Sequence, residues 1–336
     1  MKAIQIDSFG LENIQYKEIP DPAPVESSEV LVRFRAASLN YRDYLVVTGK
    51  YNPKFPLPLI PCSDGAGEVV EIGKNIKNFS VGDRVCATFA PNWDSGKPTK
   101  KEIRASLGGP LDGTLREYAV LPESGLVKIP SHLSFEEGAT LPCAALTAWS
   151  ALFGESPVLP GESVVIQGTG GVSIFALQFA KLAGAKVILT SSSDEKLSQG
   201  RKLGADFLIN YKTDPKWSKK VREFTNGEGA DHIVEVGGAG TLDESIQSVK
   251  LFGSIYLIGV LSGSSPSLNL LPIVMGQVKI QGIVIGPKKS FEKMNRAITE
   301  NSIHPVIDKI FPLEETRRAI EYLRDGKHFG KIVITI

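Results

Sequence analysis

VVIQGTGGVSIFALQFAKLAGAKVILTSSS, residues 164–193, decides how this chain folds. The apolar run into Gln167 reads as a buried strand, Gly168 to Gly171 as a tight turn, Val172 to Ala183 as a helix, and Lys186 to Thr190 as a second strand. That order and length are those of a βαβ unit. Gly168 and Gly170 bring backbone N–H groups close to a pyrophosphate, which then lies at the positive end of the helix opened by Gly171 and Val172. The third glycine of the dinucleotide fingerprint is replaced by Ser173. That position serves close helix–strand packing, and serine is a small substitute. The end of the second strand selects the dinucleotide. A ribose with a free 2′-hydroxyl usually meets Asp or Glu there, whereas this chain has Ser191, Ser192 and Ser193. Hydroxyls can bond a 2′-phosphate that a carboxylate would repel, so the expected cofactor is NADP(H). Lys196 and Arg201 on the next helix and Tyr211 after the third strand are candidates to complete a phosphate pocket. For the two cations, a solvated helix face is the competing explanation, and the missing acid is the stronger half of the argument.

Strands continue to alternate with helices beyond this unit, at Phe207 to Asn210, His232 to Val236, Ser254 to Val260 and Lys279 to Ile285, which implies a doubly wound parallel sheet. The segment SFEEGATLPCAALTAWSAL reads as helical and leads into it. Before about Leu141 the pattern is different, with short strands (Glu29 to Ala36, Gly67 to Ile72, Arg84 to Phe89, Leu115 to Leu121) broken by Pro- and Gly-rich turns. This is a β-rich unit, expected to be a partly open barrel. Pro91 to Gly113 is polar and lacks periodicity, so it is expected to be an exposed loop able to close over a site. The tail carries an amphipathic helix, Leu313 to Leu323, and a closing strand, Lys331 to Ile336.

At 336 residues two domains are the natural prior, and 42% hydrophobic residues suffice to fill both cores. Lys+Arg 38 against Asp+Glu 37 leaves no basic field to hold nucleic acid or an anionic membrane. No apolar run approaches the ~20 residues of a membrane span. Cys62, Cys86 and Cys143 are odd in number and far apart, which argues against a disulfide framework and fits a reducing, cytoplasmic setting. A small, individually bound ligand is the expected partner.

The stretches RAASLNYRDYLVVTG, IPCSDGAGEVVEIG, VGDRV, DGTLREYAVLPE, LPCAALTAWSAL, the glycine turn, LGAD and HFGKIVI together resemble the medium-chain dehydrogenase/reductase superfamily over nearly the full length, on its quinone-oxidoreductase-like side. The resemblance implies an α/β protein. Residues 1–141 and 287–336 form a GroES-like β-barrel catalytic domain, residues 142–286 a doubly wound Rossmann domain, and the active site lies in the cleft. It places Thr147 near the nicotinamide, Ile258, Gly259, Val260 and the backbone around Val284 along its carboxamide, and Lys331 where a basic residue often meets the pyrophosphate. It further suggests a homodimer paired through Leu270 to Ile285, a segment that reads as an edge strand and would invite aggregation if left bare.

Zinc-type members of that superfamily bind a catalytic metal through Cys, His and Cys. The first two positions fall here on Asn40 and Ser63, with Asp64 where a glutamate stands, and only Cys143 keeps a ligand type. Pro91 to Gly113 lacks the four cysteines of a structural zinc. The expectation is therefore no metal, with Cys143 a small buried hydrophobe. Without a Lewis acid, conjugated carbonyls and quinones are easier hydride acceptors than simple aldehydes. Asn40, Tyr41, Ser63 and Asp64 are the candidate catalytic residues. Tyr41 either donates to a substrate oxygen or sits on the cofactor phosphates, Asp64 has a structural pairing to Arg42 as its alternative role, and Tyr51 is a further candidate. An alcohol or aldehyde dehydrogenase and a non-catalytic NADP-binding protein remain the alternatives.

Overall fold

A computed structural model describes every residue except Pro266. The chain divides into two compact units, one made of Met1–Leu146 with Ile285–Ile336 and the other of Thr147–Val284.

The first unit begins with β1 (Lys2–Ile6) and β2 (Ile14–Glu18), an antiparallel pair. Next come β3 (Glu29–Leu39), the short helix α1 (Tyr41–Val47), β4 (Asp64–Ile72), β5 (Arg84–Ala87), helix α2 (Lys100–Arg104), β6 (Tyr118–Pro122), β7 (Leu126–Lys128) and helix α3 (Phe135–Ala139). A single π-type turn, Leu141–Ala145, precedes the crossing into the second unit. Strand β3 is the spine: β4 and β6 pair with it antiparallel, and β4 passes the sheet on to β5 and β7. Its inward residues Val30, Val32 and Phe34 pack with Val69, Val85 and Leu121 in one apolar cluster.

The second unit contains α4 (Leu146–Phe153), β8 (Ser163–Gln167), α5 (Gly171–Leu182), β9 (Lys186–Ser191), α6 (Asp194–Lys202), β10 (Phe207–Asn210), α7 (Trp217–Phe224), β11 (Ala230–Glu235), α8 (Leu242–Ser248), β12 (Val249–Leu257), α9 (Leu271–Gly276) and β13 (Lys279–Gly282). The six strands run parallel in the order β10-β9-β8-β11-β12-β13. Every residue of β8 is buried, which is why this strand reads as an unbroken apolar run rather than an alternation. The expected edge strand across Leu270 to Ile285 is only half right. Leu271–Gly276 is a helix with a proline in its first turn, Gln277 ends it in the left-handed conformation, and β13 then forms the sheet edge.

The chain returns to the first unit through α10 (Lys288–Glu300), β14 (Ile307–Pro312), α11 (Thr316–Arg324) and β15 (Lys331–Thr335). β15 pairs antiparallel with β3, Ile332 opposite Leu39 and Ile334 opposite Ala37, and parallel with β14. None of the described helices is long and apolar enough to cross a membrane.

Pro91 to Gly113 departs from the expected exposed loop. Thr99 and Glu102 form a reciprocal cap that starts α2, a signal present in the sequence as T-x-x-E. Beyond it, Ser106 and Leu107 are buried. The cause is Arg42 of α1, whose guanidinium donates to Leu107 O (2.9 Å), Ser106 Oγ (3.0 Å) and Gly109 O. Its planar face lies 5.0 Å from the Tyr51 ring centre and 4.9 Å from that of Phe89. Lysine carries the charge but cannot reach three divergent acceptors while stacked between rings. Arg42→Lys is expected to lower stability by about 2 kcal/mol, seen as a reduced urea midpoint. A midpoint equal to wild type would show that the clamp is dispensable.

Candidate functional site

In the first unit, the Asn40 side chain meets a lysine from the far end of the sequence. Lys331 opens β15, is 3% exposed, and its ammonium donates to Leu39 O and Asn40 Oδ1, both at 2.6 Å. The residue expected to meet a pyrophosphate is therefore held inside its own unit. A lysine only donates, so this contact turns Oδ1 of Asn40 towards Lys331. The Asn40 Nδ2 is shielded from solvent and forms no hydrogen bond of ordinary geometry among the described residues, although the side chain lies close enough to Asp64 to favour its charged form. The Asn40 N–H donates to Asp43 Oδ2 (2.7 Å), which caps α1, and burial pushes the Asp43 carboxyl up to about 6.

Ser63 and Asp64 follow a strained turn: Cys62 has φ +74°. Backbone bonds from Gly113 N to Ile60 O (2.7 Å) and Thr114 N to Cys62 O (2.9 Å) brace that turn. Ser63 Oγ donates to Asp64 Oδ1 (2.6 Å), and Cys143 N donates to Asp64 Oδ2 (3.1 Å), all within the first unit. No ion pair joins Asp64 to Arg42, whose two terminal nitrogens bond to the 106–109 segment. Burial raises the Asp64 carboxyl above its ordinary value, opposed by the Lys331 ammonium, the Ser63 hydroxyl and the neighbouring Asn40 side chain. Tyr41 is 37% exposed and leans on Tyr44, with ring centres 5.6 Å apart. Tyr51 is 49% exposed, its ring serving the Arg42 clamp.

These residues do not fit a zinc ion. Asn40 Oδ1 and Ser63 Oγ are neutral oxygens already engaged by Lys331 and Asp64. That leaves Cys143 as the single residue of a ligand type among the three positions. Cys143 is half-buried rather than fully buried as expected.

In the second unit, β8 delivers Gln167 to the start of the glycine turn. Gly168 has φ +70°, a conformation that L side chains rarely adopt, and its N–H donates to Thr190 O (2.8 Å). Gly170 is extended and caps α5, whose first residues are Gly171 and Val172. Ser173, standing where the fingerprint has glycine, is buried and donates to Gln167 O (2.7 Å), which locks the helix to the strand end. The turn therefore presents the N-terminus of a 12-residue helix, an arrangement suited to a pyrophosphate.

The serine run is less free than it reads. Ser191 Oγ accepts from Ser193 N, and Ser193 Oγ caps α6 by accepting from Lys196 N, each at 3.3 Å. Arg201 is directed away, to Asp206 O. Tyr211 is 41% exposed, and its backbone N–H donates to Ser191 O (3.1 Å). Thr147 is buried with Oγ1 on Val284 O (3.4 Å), while Val284 and Val260 are largely exposed. Ile258 and Gly259 both donate to Glu235 O, and a Cβ on Gly259 would lie 2.2 Å from Val236 O, so only glycine fits there. Glu235 itself was not singled out from the sequence. The signal was there in VEVGG, a carboxylate ending an apolar strand just before paired glycines.

Two family profiles match, an alcohol dehydrogenase GroES-like domain over residues 26–131 and a zinc-binding dehydrogenase domain over residues 171–300. A zinc-type alcohol dehydrogenase-like protein of Schizosaccharomyces pombe is 45% identical over 334 residues, covering 97% of this chain and 96% of that protein. A chloroplast envelope quinone oxidoreductase homolog of Arabidopsis thaliana is 31% identical, covering 99% and 98%. A solved NAD-dependent alcohol dehydrogenase is 35% identical with a TM-score of 0.92 and covers the whole of both chains. Likeness that runs through both units at these identities shows that the chain belongs to the medium-chain dehydrogenase/reductase superfamily, as a dinucleotide-binding oxidoreductase with GroES-like and Rossmann domains.

Proposed function

We propose that this protein is a zinc-independent reductase that uses NADPH to reduce a quinone or an α,β-unsaturated carbonyl compound. The observation that carries the reading is Asn40. Its residue type cannot serve as a zinc thiolate, and Lys331 holds its Oδ1, so that Nδ2, close to the Asp64 carboxylate, is left without a well-formed hydrogen bond among the described residues. A donor held in that way suits the oxygen of a conjugated carbonyl, which gains negative charge as hydride adds to the far carbon. When bound, the dihydronicotinamide supplies that hydride. Asn40 would hold the enolate-like oxygen, and the second unit would hold the dinucleotide through the Gly168–Gly171 turn. Tyr41, partly exposed one residue on, would deliver a proton or meet a cofactor phosphate. The quinone oxidoreductase homolog among the relatives supports this substrate class.

For the cofactor, support for NADPH comes from Ser191 to Ser193 standing at the end of β9 where an acid would meet a free ribose, and from Tyr211, whose backbone is bonded to Ser191. Support for a homodimer comes from the outer edge of the second unit's sheet. β13 ends the strand order, and Leu271, Val274 and Met275 of the adjoining α9 are 64%, 68% and 71% exposed. Such a surface beside an open strand edge is best covered by a second copy of the chain.

Three measurements check these readings. NADPH should bind more tightly than NADH at fixed salt, and the ratio of the two dissociation constants decides it: equality or a preference for NADH removes the 2′-phosphate argument. Light scattering at micromolar concentration should return twice the 36.3 kDa chain mass, and a monomer mass contradicts pairing. Reduction of a quinone and enone panel should survive prolonged dialysis against a strong chelator, and Cys143→Ser should retain most turnover. One zinc per chain, with activity lost on its removal and regained on its return, would instead make the protein a metal-dependent alcohol dehydrogenase.

A further inference from the structure

The second unit holds a carboxylate that neither the glycine turn nor the serine run requires. Glu235 ends β11 with no solvent exposure, and five donors converge on it. Its Oε1 accepts from Gly237 N (2.8 Å), Gly238 N (3.0 Å) and Thr241 Oγ1 (2.6 Å). Its Oε2 accepts from Gln167 Nε2 (2.7 Å) and Ser245 Oγ (2.6 Å). Gln167 completes the link from the other side, its Oε1 accepting from Val236 N and Gly237 N at 3.3 Å each. Burying a carboxylate is costly, and the cost is met only when every lone pair is satisfied, as here. Packing alone would be served as well by an apolar side chain.

What the network joins gives it a role. Gln167 immediately precedes the glycine turn, and its carbonyl is the acceptor for Ser173. Residues 236–241 in turn back the 258–263 segment: Ser262 N and Oγ both donate to Gly237 O (2.7 Å), and Ala239 N donates to Gly263 O (2.8 Å). β8 and β11 are the two central strands of the sheet, and ligands of such sheets bind outside the strands' carboxyl ends. We propose that Glu235 is a positioning residue that holds the glycine turn and the Ile258–Val260 turn in fixed relation, so that the diphosphate and nicotinamide ends of one cofactor are bound together. This rests on the reading that the second unit binds NADP(H).

Glu235→Gln would confront two donors with an amide NH2 and is prone to fail in folding, so the test is made at Thr241. Thr241→Val removes one donor from Oε1 on the loop side, and Thr241→Ser keeps it. Dissociation constants are measured for NADPH and for 2′-phospho-ADP-ribose, the same molecule without its nicotinamide. Thr241→Val should weaken NADPH about tenfold, the scale of one hydrogen bond to a charged group, and leave the fragment within about twofold. Thr241→Ser should restore NADPH to wild-type affinity. Unchanged NADPH affinity in Thr241→Val, or equal losses for NADPH and the fragment, would overturn the proposal. A wild-type protein that binds neither NADPH nor NADH would refute the cofactor reading itself, whereas wild-type binding with an indifferent Thr241→Val refutes only the role of Glu235.

Discussion

The pairing of β15 with β3 is the contact on which the first unit depends. It joins segments 294 residues apart, through Ser38 Oγ on Ile332 O and the ladder from Leu39 to Ala36. It also delivers Lys331 to the end of β3, where the ammonium satisfies Leu39 O and fixes the Asn40 side chain. The polar site is thus a by-product of sheet closure. Remove the lysine, and a buried carbonyl, an amide and the Asp64 carboxylate all lose their nearest positive charge.

That arrangement explains how a zinc-type scaffold can carry a site made of ordinary side chains. In place of thiolate and imidazole ligands around a cation, Asn40, Ser63 and Asp64 bond to one another's neighbours and to a lysine. The carboxylate has a partner for each oxygen and the lysine has two acceptors, while the Asn40 Nδ2, near Asp64, is among the donors left without a well-formed bond. Among the described residues, Asp43 Oδ1 and Arg42 Nε are likewise buried without a partner, and a buried unmatched group is where a polar ligand gains most.

Much of this was legible in the sequence, for reasons that differ by element. β8 and β10 have the expected bounds, because continuous apolar runs between turn residues leave little choice of register. The α2 cap was readable as T-x-x-E but was masked by the polarity around it, and α9 was read as strand because LPIVM is an unbroken apolar run with no helical stripe, Ile273 packing on the core while Leu271, Val274 and Met275 are exposed. Asn40, Ser63 and Asp64 could be named from position alone. That Lys331 turns inward could not, since burial of a lysine depends on acceptors supplied by a strand almost three hundred residues away. The same is true of Glu235, whose five donors come from three separate elements.

The two units also differ in how they can be assembled as the chain is made. The second is one continuous stretch, Thr147–Val284, whose strand pairings are all internal to it. The first is interrupted, and until β15 has been synthesised residues 36–38 of β3 have β4 on one side and no strand on the other. An apolar strand edge therefore stands open throughout synthesis of the inserted unit, the situation in which non-local β pairing is slow and exposed to aggregation. A nascent chain of this topology has its dinucleotide unit complete before its catalytic sheet can close, and the lysine that seals that sheet arrives with its final strand.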